Sequence, residues 1–222
     1  MKVTAVNGSP RKDWNTAMLL QHALDGAAAQ GAETGMIHLY DLDYKGCISC
    51  FSCKLRGGKS YGKCAVRDEL APVLKKIEES DALILGSPIY FGGTTGEMRS
   101  FLERLMFQYL VYDSSYSSLF GKKIPTGFIY TMNVNEERMA DVGYERSLQG
   151  TEAALARTFG SCEHLFVTDT YQFDDYSRYE VTSFSGEDKA KRRREVFPED
   201  CKKAFQMGGR FAQRDFFVSQ DR

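Results

Sequence analysis

Asn7-Gly8-Ser9-Pro10-Arg11-Lys12-Asp13-Trp14-Asn15-Thr16 follows an apolar run from Val3 to Val6 and leads into a helical stretch from Ala17 to about Ala29. The residue types suit an anion. A glycine lets the chain turn sharply at a strand end. Ser9, Asn15 and Thr16 bring neutral donors, and Arg11 brings a fork-shaped cation. The helix that follows adds free N–H groups and roughly half a positive charge at its N-terminus. Phosphate binding by Ser9, Arg11, Asn15 and Thr16 is the expected chemistry, because this is the first strand-to-helix turn of an open α/β pattern.

A second glycine-containing loop has a different character. In Gly86-Ser87-Pro88-Ile89-Tyr90-Phe91-Gly92-Gly93-Thr94-Thr95, Pro88 stiffens the turn and the glycines expose backbone amides. Tyr90 and Phe91 add aromatic surface, a combination suited to a planar heteroaromatic ring with polar edges. Phosphate at the first loop and an isoalloxazine ring at the second make flavin mononucleotide (FMN) the expected ligand. FAD is not expected, since no G-x-G-x-x-G stretch is present.

Four of the six cysteines crowd into residues 47 to 64, as Cys47, Cys50, Cys53 and Cys64 in the pattern C-x2-C-x2-C-x10-C. Three thiolates in so short a run can converge on one centre, and a compact x2-x2 triplet suits iron–sulfur ligation better than paired zinc knuckles. The residue types also admit buried or reducible thiols without metal, a zinc site, or a Cys47–Cys50 or Cys50–Cys53 redox pair. Gly57 to Lys63 spells G-x4-G-K but ends in Cys64 and lacks a preceding buried strand, so it is not read as a nucleotide loop.

The elements that must position these residues alternate. Strands are expected at Val3–Val6, Glu33–Leu39, Ala82–Gly86, Ile124–Tyr130 and His164–Val167. Helices are expected at Ala17–Ala29, Asp68–Ser80, Thr95–Leu110 and Glu145–Phe159, and a final one begins near Pro198. This predicts a doubly wound, five-stranded parallel α/β sheet of order 2-1-3-4-5. Residues 1–170 form the expected FMN-binding domain with a cysteine insertion at 44–67, and 171–222 an aromatic and helical extension. Phe205, Phe211 and Phe216 of the last helix must cover the sheet or a second subunit. The basic run Lys189 to Arg194 is read as a solvated helix face. A net charge of −1 gives no general attraction to nucleic acid or anionic membranes. With no leader pattern, no run of membrane-spanning length and clustered cysteines, a cytoplasmic protein is expected.

Ser9-Pro10-Arg11 with Asn15-Thr16, then Gly86-Ser87-Pro88-Ile89-Tyr90 and a helix ending Phe101-Leu102-Glu103-Arg104, resembles the NAD(P)H-dependent FMN reductase family of the flavodoxin superfamily over about residues 1 to 170. The resemblance implies a flavodoxin-like fold, NAD(P)H as co-substrate, and a quinone, small organic acceptor or redox protein as electron acceptor. It assigns the phosphate to Ser9, Arg11, Asn15 and Thr16 and the ring to Pro88, Ile89, Tyr90, Phe91 and Gly92, with Thr131 as a further contact. One branch, the iron–sulfur flavoproteins, carries a compact cysteine motif in this place and binds a 4Fe-4S cluster; the gap before Cys64 here is longer than that branch usually shows. The family also implies a homodimer or homotetramer. A non-enzymatic flavodoxin-like electron carrier is the rival reading, against which stands the near-neutral charge.

Overall fold

A computed structural model describes residues 1–213 and Phe216. Its strands are β1 (Lys2–Asn7), β2 (Glu33–His38), β3 (Ala82–Tyr90), β4 (Gly93–Thr94), β5 (Thr126–Thr131) and β6 (Glu163–Val167). The main helices are α1 (Asn15–Ala29), α2 (Leu70–Glu78), α3 (Gly96–Phe107), α4 (Glu136–Asp141), α5 (Tyr144–Phe159), α6 (Gly186–Glu195) and α7 (Phe197–Phe211). The sheet runs β2-β1-β3-β5-β6 with every pairing along it parallel, and β4 folds back antiparallel on the end of β3. This is the expected flavodoxin-like order once the two-residue β4 is set aside.

Alternation along the central strands divides the core into two layers. Ala82 and Ile84 of β3 pack with Val3, Ala5, Ile129 and Val167 beneath α1 and α7. Leu83 and Leu85 face the other way, with Val6, Phe128 and Tyr130, beneath α2, α3 and α5.

The last helix therefore covers its own sheet. Its Phe211 is fully buried, Phe216 beyond it is buried, and Phe205 is 40% exposed, so only part of the expected apolar face needed a cover. α7 crosses α1 so closely that a Cβ at Gly208 would overlap the Ala23 carbonyl, and one at Gly26 the Phe205 carbonyl.

Three expectations on the elements change. β3 continues to Tyr90, because Ser87 and Pro88 still pair with Tyr130 and Thr131. The fourth main strand begins at Thr126, with Ile124 reduced to an isolated bridge to Gly160. The basic run is not a solvated face. Lys189 is buried and donates to Asp169 and the Asn133 carbonyl, Arg192 bonds Asp200, and Arg193 bonds Asn15. These cations tie α6 to α1, α7 and the strand ends, a role that charge counting along the chain cannot reveal.

Candidate functional site

β1, β3 and β5 end on the same edge of the sheet, and a cavity of about 150 Å³ opens there. Ser9, Arg11, Asn15, Thr16, Pro88, Ile89, Tyr90 and Thr131 all line it. Phe91 and Gly92 do not. They form the tip of the β3–β4 hairpin, both with positive φ (51° and 81°), and the Phe91 ring is wholly exposed. Two-residue hairpin loops demand that conformation, which explains glycine at the second position.

The first loop is pinned to its neighbours. Asn7 Oδ1 accepts from the Ser9 amide at 2.9 Å, and Ser9 Oγ accepts from the Arg11 amide at 3.1 Å. Thr95 caps α3 by accepting from the Met98 amide, and its hydroxyl donates to the Gly8 carbonyl at 2.7 Å. Thr16 and Thr131 share a buried hydroxyl–hydroxyl bond of 2.8 Å. At the start of α1, which follows this loop, no side chain caps the helix, and its first backbone N–H groups have no partner one turn back.

Sequence reasoning missed Asn133, Thr170, Tyr171 and Gln172, which complete the cavity. Asp169, at φ 54°, and Thr170 pair back onto Val134 and Met132, so the chain after β6 crosses the chain after β5. Beyond that crossing the Tyr171 carbonyl accepts from Asn15 Nδ2 (2.7 Å) and Trp14 Nε1 (3.1 Å), and the Gln172 carbonyl from Arg11 Nη1 (2.6 Å). Asn15 Oδ1 in turn accepts from Arg193. The Asn15 amide is therefore spent on framing the loop. Asn133 Oδ1, by contrast, is buried without a hydrogen-bond partner among the described residues.

The cysteine segment hangs on α3. Glu103 accepts from the Cys47 amide at 3.3 Å and Gln108, just past the helix, from the Cys64 amide at 2.9 Å. A side chain at Gly46 would collide with Glu103. Lys54 donates to the carbonyls of Phe107 and Leu110 at the end of α3, and burial pushes its pKa down. Arg104, 2% exposed, pairs with Asp68 and donates to the carbonyls of Lys45 and Val66. Ser49 and Phe51 take left-handed conformations (φ 54° and 56°) that curl the segment. Together these contacts bring Cys47, Cys50, Cys53 and Cys64 around one small cavity of about 20 Å³ whose other walls include Arg104, Phe107 and Gln108. Burial raises the Cys53 pKa, whereas hydrogen bonds from Ser52 lower that of the exposed Cys50. Among the described residues no group of three or more His, Cys, Asp or Glu side chains stands in metal-holding geometry, so the thiols share a cavity without converging on one point. All six cysteines are free. A larger cavity of about 440 Å³ adjoins Cys47, between α3 and α5, with Leu102, Met106, Leu110 and Arg157 in its walls.

Among known proteins, a family model described as NADPH-dependent FMN reductase matches residues 1–159. An iron-sulfur flavoprotein of Methanocaldococcus jannaschii is 41% identical over 104 residues, covering 47% of this chain and 51% of its own length. An iron-sulfur flavoprotein of Archaeoglobus fulgidus is 38% identical over 104 residues, covering 47% and 48%. The chain thus spans about half the length of these curated relatives. In fold it is similar to an NAD(P)H:quinone oxidoreductase from Methanothermobacter marburgensis, with a TM-score of 0.68 at 12% identity over 94% of this chain and 98% of that one. It is also similar to an FMN-dependent NADH-azoreductase from Bacillus anthracis in complex with FMN, with a TM-score of 0.63 at 13% identity over 96% and 100%.

Proposed function

Because the chain belongs to the NADPH-dependent FMN reductase family, we propose that it is an FMN-dependent oxidoreductase that takes electrons from NAD(P)H and passes them to a quinone, another small organic acceptor or a redox protein. The observation that carries this reading is the convergence of Ser9, Arg11, Thr16, Pro88, Tyr90 and Thr131 on one cavity, with Asn133 also in its wall. Neutral donors, one arginine and a helix N-terminus fit the phosphate end. Pro88, Ile89 and Tyr90 fit the flat apolar end. Bound FMN supplies the hydride and electron-transfer chemistry. The chain's own part is to orient that group and to hold it through backbone and hydroxyl contacts, without a side-chain nucleophile.

The four cysteines are proposed to hold a 4Fe-4S cluster. Four thiols around one cavity, a buried cation beside them and relatives named iron-sulfur flavoproteins support this. With all six cysteines free, a reducing, cytoplasmic setting is proposed. No helix among the described residues is long and apolar enough to cross a membrane.

Anaerobically purified protein should show flavin absorbance in a one-to-one ratio with chain, about four irons per chain, and steady-state oxidation of NADH or NADPH with a quinone present. Flavin without any nicotinamide oxidation would instead favour an electron carrier. Failure to bind FMN would overturn the reading as a whole.

A further inference from the structure

Arg104 presents five N–H donors. Nη1 donates to Asp68 and the Lys45 carbonyl, and Nη2 to Asp68 and the Val66 carbonyl. Among the described residues the fifth donor, Nε–H, is buried with no partner in good hydrogen-bond geometry. The side chain is 1% exposed, so an unmet donor here is costly and calls for an explanation. Asp68 occupies the Nη1–Nη2 end of the fork, which leaves the Nε–H edge as the free one. Arg104 is one of the residues lining the cavity that the four cysteines share, and its guanidinium interacts with the Cys64 thiol beside it. Among the described residues, Asp68 is the carboxylate that pairs with this arginine.

We infer that Arg104 donates its Nε–H to a sulfur of the group bound by Cys47, Cys50, Cys53 and Cys64, and by doing so raises the reduction potential of that group. The inference rests on the cluster reading of these cysteines. Hydrogen bonds to ligand or bridging sulfur stabilise the more negatively charged, reduced state, and a fixed cation nearby acts in the same sense. Burial makes the contact stronger by keeping water away. Because Asp68 and two carbonyls hold the guanidinium, the donor is set in place before any group binds. Arg104 is thus a positioning and tuning residue.

The test uses full-length protein reconstituted anaerobically, grown with arginine labelled with ¹⁵N at Nε. Pulsed electron paramagnetic resonance of the reduced cluster should show a ¹⁵N coupling. In Arg104→Lys, which retains the charge opposite Asp68 but has no Nε–H, that coupling should vanish. The cluster potential should become more negative while the flavin potentials stay in place. Asp68→Asn serves as the structural control, because it breaks the same ion pair but leaves Nε–H, and should not make the potential more negative. If Arg104→Lys fails to fold, the coupling in the wild-type protein alone decides. A cluster with no arginine coupling, or a potential unmoved in Arg104→Lys, would overturn the inference and leave the cluster reading intact. Protein that binds flavin but no iron after reconstitution would overturn both.

Discussion

Arg11 stands at the cavity rim, its guanidinium 5.3 Å from the Trp14 ring centre and bonded to the Gln172 carbonyl. Its charge remains free to meet a phosphate. Arg11→Ala is expected to weaken FMN by about 1.5 kcal/mol, roughly tenfold, the lower end for charge-assisted bonds because Arg11 is exposed. Unchanged affinity in a flavin fluorescence titration would remove Arg11 from the site. Asn133 should behave in the opposite way towards stability and binding. Asn133→Leu deletes an unpaired buried acceptor, so the flavin-free protein should melt no lower than wild type while FMN affinity falls by about 1 kcal/mol. A variant that loses stability but binds FMN normally would mean that Asn133 serves the fold alone. Cys162 gives a pH signature. Burial is the main cause that pushes its thiol up to about 12. The folded state holds that proton more tightly than the unfolded chain does, so this group's contribution to stability declines as pH rises from about 9 towards 12. Since the thiolate is the nucleophile, alkylation of Cys162 at pH 8 should be far slower than that of an ordinary thiol, as peptide mass mapping can check.

At the scale of elements, the α1–α7 crossing carries the clearest mutational test. Gly208→Ala would press a methyl group into the Ala23 carbonyl, backbone against backbone, with no side chain able to yield. A loss of about 3 kcal/mol is expected, the upper part of the overpacking range, measurable by urea denaturation. A neutral result would mean that the two helices are less tightly packed than described. The five parallel strands and α1, α2, α3, α5 and α7 were legible in the sequence because their apolar residues recur at the periods that a doubly wound sheet requires, whereas β4 and the short or charged α4 and α6 carry no such period. Ser9, Arg11 and Thr16 were legible for a local reason, since a strand-to-helix turn carries its own donors. Asn133, Tyr171 and Gln172 were not, because their place depends on Asp169 and Thr170 crossing back to Met132 and Val134. Lys189 escaped for the same reason. Its partners, Asp169 and Asn133, lie 20 and 56 residues away. In the cysteine segment the residue types were legible, but the anchors Glu103 and Gln108 sit on and just past a helix that reads as an ordinary amphipathic one.

At the scale of the whole molecule, one group of the exposed apolar side chains among the described residues lies in and near the cysteine segment. Ile48, Phe51 and Leu55 are 64%, 53% and 66% exposed, and Tyr112 is 63% exposed. Phe51 and Tyr112 both pack edge-on against Phe107, so they belong to one surface. Such a patch marks an interaction surface, and a second copy is the occupant expected here. Sedimentation equilibrium should therefore find an assembly heavier than the 25.1 kDa chain, and Phe51→Ser with Leu55→Ser should shift it towards monomer. A wild-type monomer at micromolar concentration would count against self-association. The attachment of this segment to α3 has a consequence for chain length. Cys64 is held by Gln108 and Cys47 by Glu103, so neither position is set by counting residues from Cys53. The ten residues between Cys53 and Cys64 form a loop closed at its neck by the Gly62 amide, which donates to the Cys53 carbonyl at 3.0 Å. Closing a flexible loop of twice the length costs only about 0.6 kcal/mol more. The interval before the fourth thiol is accordingly free to drift in length with little penalty, and a fixed spacing is the wrong signature by which to recognise proteins that share this arrangement.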